Sequence, residues 1–121
     1  MTRGLGSSSA CIVAGLVGAN RFLGNPLTKK DLVNLASEIE GHPDNTTPAL
    51  MGGLVTSAID GGKVYSVSVP VAENIRFGVF IPPFELSTEY ARGVLPETYT
   101  KEQAVFNLSR SSLMTSSLFS G

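Results

Sequence analysis

A chain of 121 residues with 42% hydrophobic content suffices for one modest domain, and a net charge of -1 argues against nucleic acid or another polyanion as partner. No apolar run approaches the roughly 20 residues that a bilayer crossing requires, and the opening residues form a glycine-rich turn, so a soluble, cytoplasmic chain with no membrane partner is expected. One histidine and one cysteine supply neither a zinc set nor the spacing of a Ser-His-Asp triad, which argues against acyl transfer, and Cys11 is expected to be a buried thiol.

The chain opens with Thr2-Arg3-Gly4-Leu5-Gly6-Ser7-Ser8-Ser9-Ala10, which runs into the apolar stretch Cys11-Ile12-Val13-Ala14-Gly15-Leu16-Val17. Glycines let the backbone approach an anion, and the free amides and positive dipole end of a following helix favour negative charge there. Serine hydroxyls add donors, and one can ligate magnesium. The string reads as a phosphate cradle, with a serine N-cap after a flexible loop as the plain alternative. Ile12, Val13, Leu16, Val17 and Phe22 recur at helical spacing and predict a helix from about Ser9 to Phe22, broken by Gly24-Asn25-Pro26. Thr28, with Asp31 three residues on, predicts the N-cap of a second helix that carries Leu32, Leu35, Ala36 and Ile39 on one face and ends at Glu40-Gly41. His42-Pro43-Asp44-Asn45 forms a polar turn, and Thr47 to Met51 predicts a short third helix stopped by Gly52-Gly53.

From Leu54 the period changes to two. Leu54–Ile59 and Val64–Val69 flank Asp60-Gly61-Gly62-Lys63 and predict an antiparallel hairpin. Ile75–Ile81, ended by Pro82-Pro83, predicts a third strand, and a sub-domain boundary falls near residues 71–73. Ser87-Thr88-Glu89 predicts the cap of a helix carrying Ala91, Val94 and Leu95. A last helix is predicted over about Lys101 to Ser117, with Ala104, Val105, Leu108 and Leu113 inward. The methionines and Phe106 read as core, and Lys29, Lys30 and Lys63 as solvated positions.

Glu38-Ile39-Glu40-Gly41-His42-Pro43-Asp44-Asn45 packs three carboxylates, an imidazole and an amide around one helix-to-helix turn, followed by Pro48-Ala49-Leu50 and Gly52-Gly53. Solvated surface residues explain any one of these, but the density of the group points to a site. Together with Gly4-Leu5-Gly6-Ser7-Ser8, this segment resembles the GHMP kinase superfamily. The His-Pro-Asp-Asn string and Ser87-Thr88-Glu89-Tyr90-Ala91-Arg92-Gly93-Val94-Leu95-Pro96 are similar to the bacterial homoserine kinases within it. The resemblance covers nearly the whole chain and implies an α+β, GHMP-kinase-like fold with helices on antiparallel strands. Residues 1–71 would form the later part of a ribosomal-protein-S5-like, ATP-binding first domain, and residues 72–121 the start of a ferredoxin-like second domain.

The implied activity is transfer of a phosphoryl group from MgATP to the hydroxyl of L-homoserine in threonine biosynthesis, with ATP and Mg2+ as cofactors. Phosphoryl transfer needs phosphate donors, a metal carboxylate and a group that orients the nucleophile. The resemblance assigns Gly4, Leu5, Gly6, Ser7, Ser8, Ser9 and Ala10, flanked by Arg3, to the ATP phosphates. Glu40 with Ser8 would hold magnesium, Glu38 being the alternative. Asp44 would orient the substrate hydroxyl beside Asn45, acting as a base or not. His42 either meets substrate or braces the turn. Arg92 would clamp the amino-acid carboxylate with help from Thr88.

Homoserine kinases carry strands before the phosphate loop and a C-terminal portion with a third motif, which this sequence lacks. An internal fragment with weak or no turnover and a tendency to form a homo-oligomer such as a dimer is therefore expected. A non-catalytic swapped oligomer and a GHMP kinase acting on another alcohol are the alternatives.

Overall fold

The computed structural model describes residues 6–81, 83 and 88–121, without the side chains of residues 88, 89 and 92. The chain divides into two compact units, 6–69 and 70–121.

In the first unit, α1 spans Ser7–Phe22 behind Gly6, whose left-handed backbone (φ 70°) turns the chain into the helix. α2, Lys29–Glu40, begins with a reciprocal capping box: Thr28 Oγ1 accepts from the Asp31 amide at 3.2 Å and the Thr28 amide donates to Asp31 Oδ2 at 2.9 Å. The Thr28 hydroxyl and amide hold the Asp31 carboxyl below its ordinary value. Asn20 ties the connection between the two helices, its side chain accepting from the Leu27 amide at 2.9 Å and donating to the Leu27 carbonyl at 3.1 Å. Gly41 closes α2, and α3 follows as Thr46–Met51.

β1, Leu54–Asp60, pairs antiparallel with β2, Lys63–Val69, in the register Asp60↔Lys63 to Leu54↔Val69. Gly61 and Gly62 both take positive φ, which a two-residue hairpin turn of matching twist requires. Gly53, entering β1, is equally constrained: a Cβ there would stand 2.8 Å from the Val69 carbonyl oxygen and 2.9 Å from Ser68 Oγ. Asn34 on α2 accepts from the Val64 amide at 2.8 Å, and Ser66 Oγ lies 3.2 Å from the Met51 sulfur, so the hairpin is tied to α2 and α3.

α1, α2 and α3 pack on one another around Val13, Leu32, Val33, Ala36 and Val64, with Thr46 and Thr47 wholly enclosed. This mixed helix and antiparallel-strand architecture agrees with the α+β expectation. The buried faces are rotated from those predicted. In α2 Val33 and Ser37 turn inward while Ile39 is exposed. Cys11 is exposed rather than buried, because the inward stripe of α1 runs through Ser9, Val13 and Asn20.

In the unit 70–121, α4 is Thr88–Gly93 and α5 is Lys101–Ser120. A second capping box, Thr100 with Gln103, starts α5, and the Ala72 amide donates to the Leu118 carbonyl at 2.9 Å. No strand forms over 75–81: among the described residues these have no ladder partner, and alternation alone does not make a strand without one. α4 stops at Gly93, so Val94 and Leu95 lie beyond it. The inward face predicted for α5 is not buried: Val105, Leu108 and Leu113 are exposed and only Ala104 is half-buried, since no described element covers that face. Phe106 and Met114 are likewise exposed rather than core, Met51 is half-buried, and the Arg110 guanidinium sits 4.0 Å from the Phe106 ring centre. Among the described residues, no helix is long and apolar enough to cross a membrane.

Candidate active site

The site lies where the start of α1 meets the end of α2 and the turn into α3, all within the unit 6–69. The amides of the first turn of a helix have no carbonyl within the helix to bond. At α1 the capping residue is a glycine, with no side chain to satisfy them. The positive end of the α1 dipole therefore lies at this place, where negative charge is favoured.

Glu40 meets this end. Its carboxylate accepts from Ser8 Oγ at 3.0 Å through Oε2 and from Ser9 Oγ at 2.9 Å through Oε1. Glu40 is the last residue of α2, whose final turn holds no basic residue, so the dipole of its own helix disfavours the charge. The two hydroxyls and the opposing start of α1 supply the compensation. A carboxylate held against its own helix end, where it weakens α2, is the local inconsistency that functional sites show. Glu38 points elsewhere: it lines a hollow of about 480 Å³ with Asn34, Ser37, Gly41 and Ile59, on the side of the hairpin.

The turn 41–45 brings three more groups. Pro43 is buried and its carbonyl accepts from the Thr47 amide at 3.0 Å, which anchors the turn to α3. Asn45 occupies the N-cap position of α3 without capping it, and its side chain instead lies over Gly6, where an added Cβ would stand 3.6 Å from Asn45 Oδ1. His42 Nδ1 is buried without a hydrogen-bond partner and lies 3.8 Å from Asp44 Oδ2, the two side chains being 16% and 67% exposed. Asp44 thus presents its carboxylate to solvent beside an imidazole.

Gly6, Ser8, Ser9, Glu40 and Asn45 are in this way gathered in one place, with His42 and Asp44 on the adjoining turn. Arg3, Gly4 and Leu5 lie outside the described residues, as do the side chains of Thr88 and Arg92, which α4 carries in the other unit. The Ser9 side chain turns inward to Glu40. Its place four residues before Val13, on the inward stripe of α1, was the available signal.

Residues 1–53 match the model of the GHMP kinases N terminal domain. This stretch of the chain is similar to the GHMP kinases. Along its whole length it is 50% identical to a homoserine kinase of Clostridium beijerinckii and 46% identical to one of Clostridium acetobutylicum, covering 41% of each. A crystal structure of homoserine kinase from Cytophaga hutchinsonii superposes on 98% of the chain with a TM-score of 0.81 at 32% identity, over 39% of that protein. The chain thus spans about two-fifths of the length of these relatives. The matched stretch 1–53 includes both the start of α1 and the turn after α2.

The donor set suits magnesium. Mg2+ prefers oxygen ligands and is bound by one or two carboxylates together with substrate phosphates rather than by an all-protein cage. Ser8 and Glu40 offer such oxygens, and no group of three or more His, Cys, Asp or Glu that could hold a metal is found among the described residues.

Proposed function

We propose that this chain supplies the phosphate-binding, metal-holding and nucleophile-orienting parts of a homoserine kinase, which moves the γ-phosphoryl group of MgATP to the side-chain hydroxyl of L-homoserine in threonine biosynthesis in the cytoplasm. The observation that carries the reading is the Ser8–Glu40–Ser9 cluster at the uncapped start of α1. The first-turn amides of α1, with Gly4, Leu5, Gly6, Ser7 and Ala10 around them, bind the phosphates, and Arg3 flanks them. Glu40 and Ser8 hold Mg2+, which when bound neutralises charge on the phosphates; Glu40 is preferred over Glu38 because it faces the serines.

Asp44 accepts a hydrogen bond from the substrate hydroxyl and orients it toward the phosphate, next to the uncharged amide of Asn45. His42 braces the turn from its buried side and offers its ring to substrate. Thr88 and Arg92 bind the amino-acid carboxylate, the guanidinium fork matching it bidentately. Residues 1–71 belong to the ATP-binding domain and 72–121 begin the next.

The test is calorimetric titration of MgATP into the chain and into Glu40→Ala, followed by ADP release with L-homoserine and with a panel of other small alcohols. Saturable binding that weakens in Glu40→Ala, with release specific to homoserine in a chain of the relatives' length, supports the reading. Equal binding by both forms refutes the metal assignment. A preference for another alcohol refutes the substrate. A self-associated chain is the second reading, favoured by the exposed Phe106, Leu108, Leu113 and Phe119 on α5, and sedimentation equilibrium decides it.

A further inference from the structure

We propose that Ser9 is a positioning residue for Glu40: its buried hydroxyl holds Oε1 and thereby aims Oε2, alongside Ser8, toward a divalent cation. The proposal rests on the reading of Glu40 as the metal carboxylate. It separates two serines that the sequence places side by side in one loop.

The two hydroxyls bond the same carboxylate in unlike settings. Ser8 is exposed, and its bond to Oε2 lies in solvent. Ser9 is 1% exposed, and its bond to Oε1 lies on the enclosed side. A hydroxyl so buried cannot reach a phosphate without leaving the interface between α1 and the end of α2. Its partner Glu40 lacks any local support, since the last turn of α2 has no basic residue and the helix dipole repels the charge there.

Rigidity follows from the same geometry. Ser9 shares the inward stripe of α1 with Val13, which is part of the core, so the donor sits on a fixed element. A glutamate side chain has several rotatable bonds, and ordering it carries an entropy cost. A Ser9 bond that is kept throughout bears this cost before any ion arrives. Ser8 can then exchange its bond to Oε2 for the ion without releasing the carboxylate. Partners that orient a ligating carboxylate commonly set metal affinity about ten- to a hundredfold.

The experiment titrates the Mn2+ complex of a non-hydrolysable ATP analogue, in place of MgATP, into the chain and into Ser9→Ala, Ser9→Cys and Glu40→Gln, with protein-bound Mn2+ read by water-proton relaxation enhancement and folding by thermal melting. Cysteine nearly matches serine in shape but donates weakly, so it separates the hydrogen bond from packing. The expected result is a Kd raised roughly ten- to a hundredfold in both Ser9 variants, with cooperative melting retained and binding lost in Glu40→Gln. Wild-type affinity in both Ser9 variants beside a loss in Glu40→Gln overturns the role of Ser9 and leaves the metal assignment standing. A loss in Ser9→Ala that Ser9→Cys recovers assigns packing rather than positioning and also overturns it. Undiminished binding by Glu40→Gln, or no Mn2+ binding by the wild-type chain, overturns the assignment of Glu40 itself, and the role of Ser9 with it.

Discussion

The units 6–69 and 70–121 are built from similar local signals and reach different ends. α2 and α5 both begin with a reciprocal capping box, Thr28 with Asp31 and Thr100 with Gln103, and both form. α2 buries Leu32, Val33, Ala36 and Ser37 between α1, α3 and the hairpin. α5, the longer of the two, buries nothing. Caps and helix propensity decide whether a helix exists, whereas burial needs several elements that present apolar faces to one another. The candidate site follows the burial: the Glu40, Ser8 and Ser9 cluster lies in the unit whose elements are held in place, where hydrogen-bonded groups can be fixed to a few tenths of an ångström.

This contrast can be broken by mutation, most severely at Gly53. Gly53→Val places a branched side chain at φ 75° against the Val69 carbonyl, and a loss of about 3 kcal/mol or more in urea unfolding of the unit 6–69 is expected. A loss below about 1 kcal/mol would show that the entry to β1 is free to shift, and the unit less fixed than described. Glu40→Ala comes next. A MgATP affinity lowered at least tenfold, about 1.4 kcal/mol, is expected by calorimetry, with the far-ultraviolet dichroism of the chain unchanged. Unfolding of the variant would mean that Glu40 serves mainly the join between α1 and α2.

Thr28→Ala sharpens the local side of the comparison. Removing the cap is expected to lower the melting temperature by roughly a few degrees. Because Thr28 lowers the folded-state pKa of Asp31, the stabilisation is complete above the ordinary aspartate pKa of about 3.9 and is lost as pH falls through the lowered value. The wild-type and variant melting curves should therefore converge in strong acid, and a gap that persists there counts against the Asp31 contact. The smallest effect is expected in the other unit: Leu113→Ala, on the exposed length of α5, should change stability by less than about 0.5 kcal/mol. A larger loss, growing with protein concentration, would reveal a second copy covering that face.

The comparison also shows how far the residues alone could be read. α1, α2, α3 and the hairpin were legible because each carries its own punctuation: Thr28 with Asp31, Gly41, Gly52-Gly53 and Gly61-Gly62 act within a few residues of the boundaries they set. Ile75 to Ile81 alternates as convincingly as β2, yet no strand forms there, because a ladder is a property of two segments and the partner is not encoded in either. Cys11 and the apolar residues of α5 were misplaced for a related reason. Periodicity shows that a helix has a face, but not which element, if any, covers it.

At the site the division is the same. By itself the sequence determined that a glycine-serine loop opens a helix and that Glu40, His42, Asp44 and Asn45 crowd one turn, since loop chemistry and helix ends are written in neighbouring residues. Only the tertiary structure decided that Glu40 rather than Glu38 faces the serines, that Ser9 turns inward while Ser8 stays in solvent, and that Asn45 lies over Gly6. Those choices depend on how α1 and α2 are rotated against each other. That rotation is set by packing around Val13, Leu32, Val33 and Ala36, which no local pattern contains.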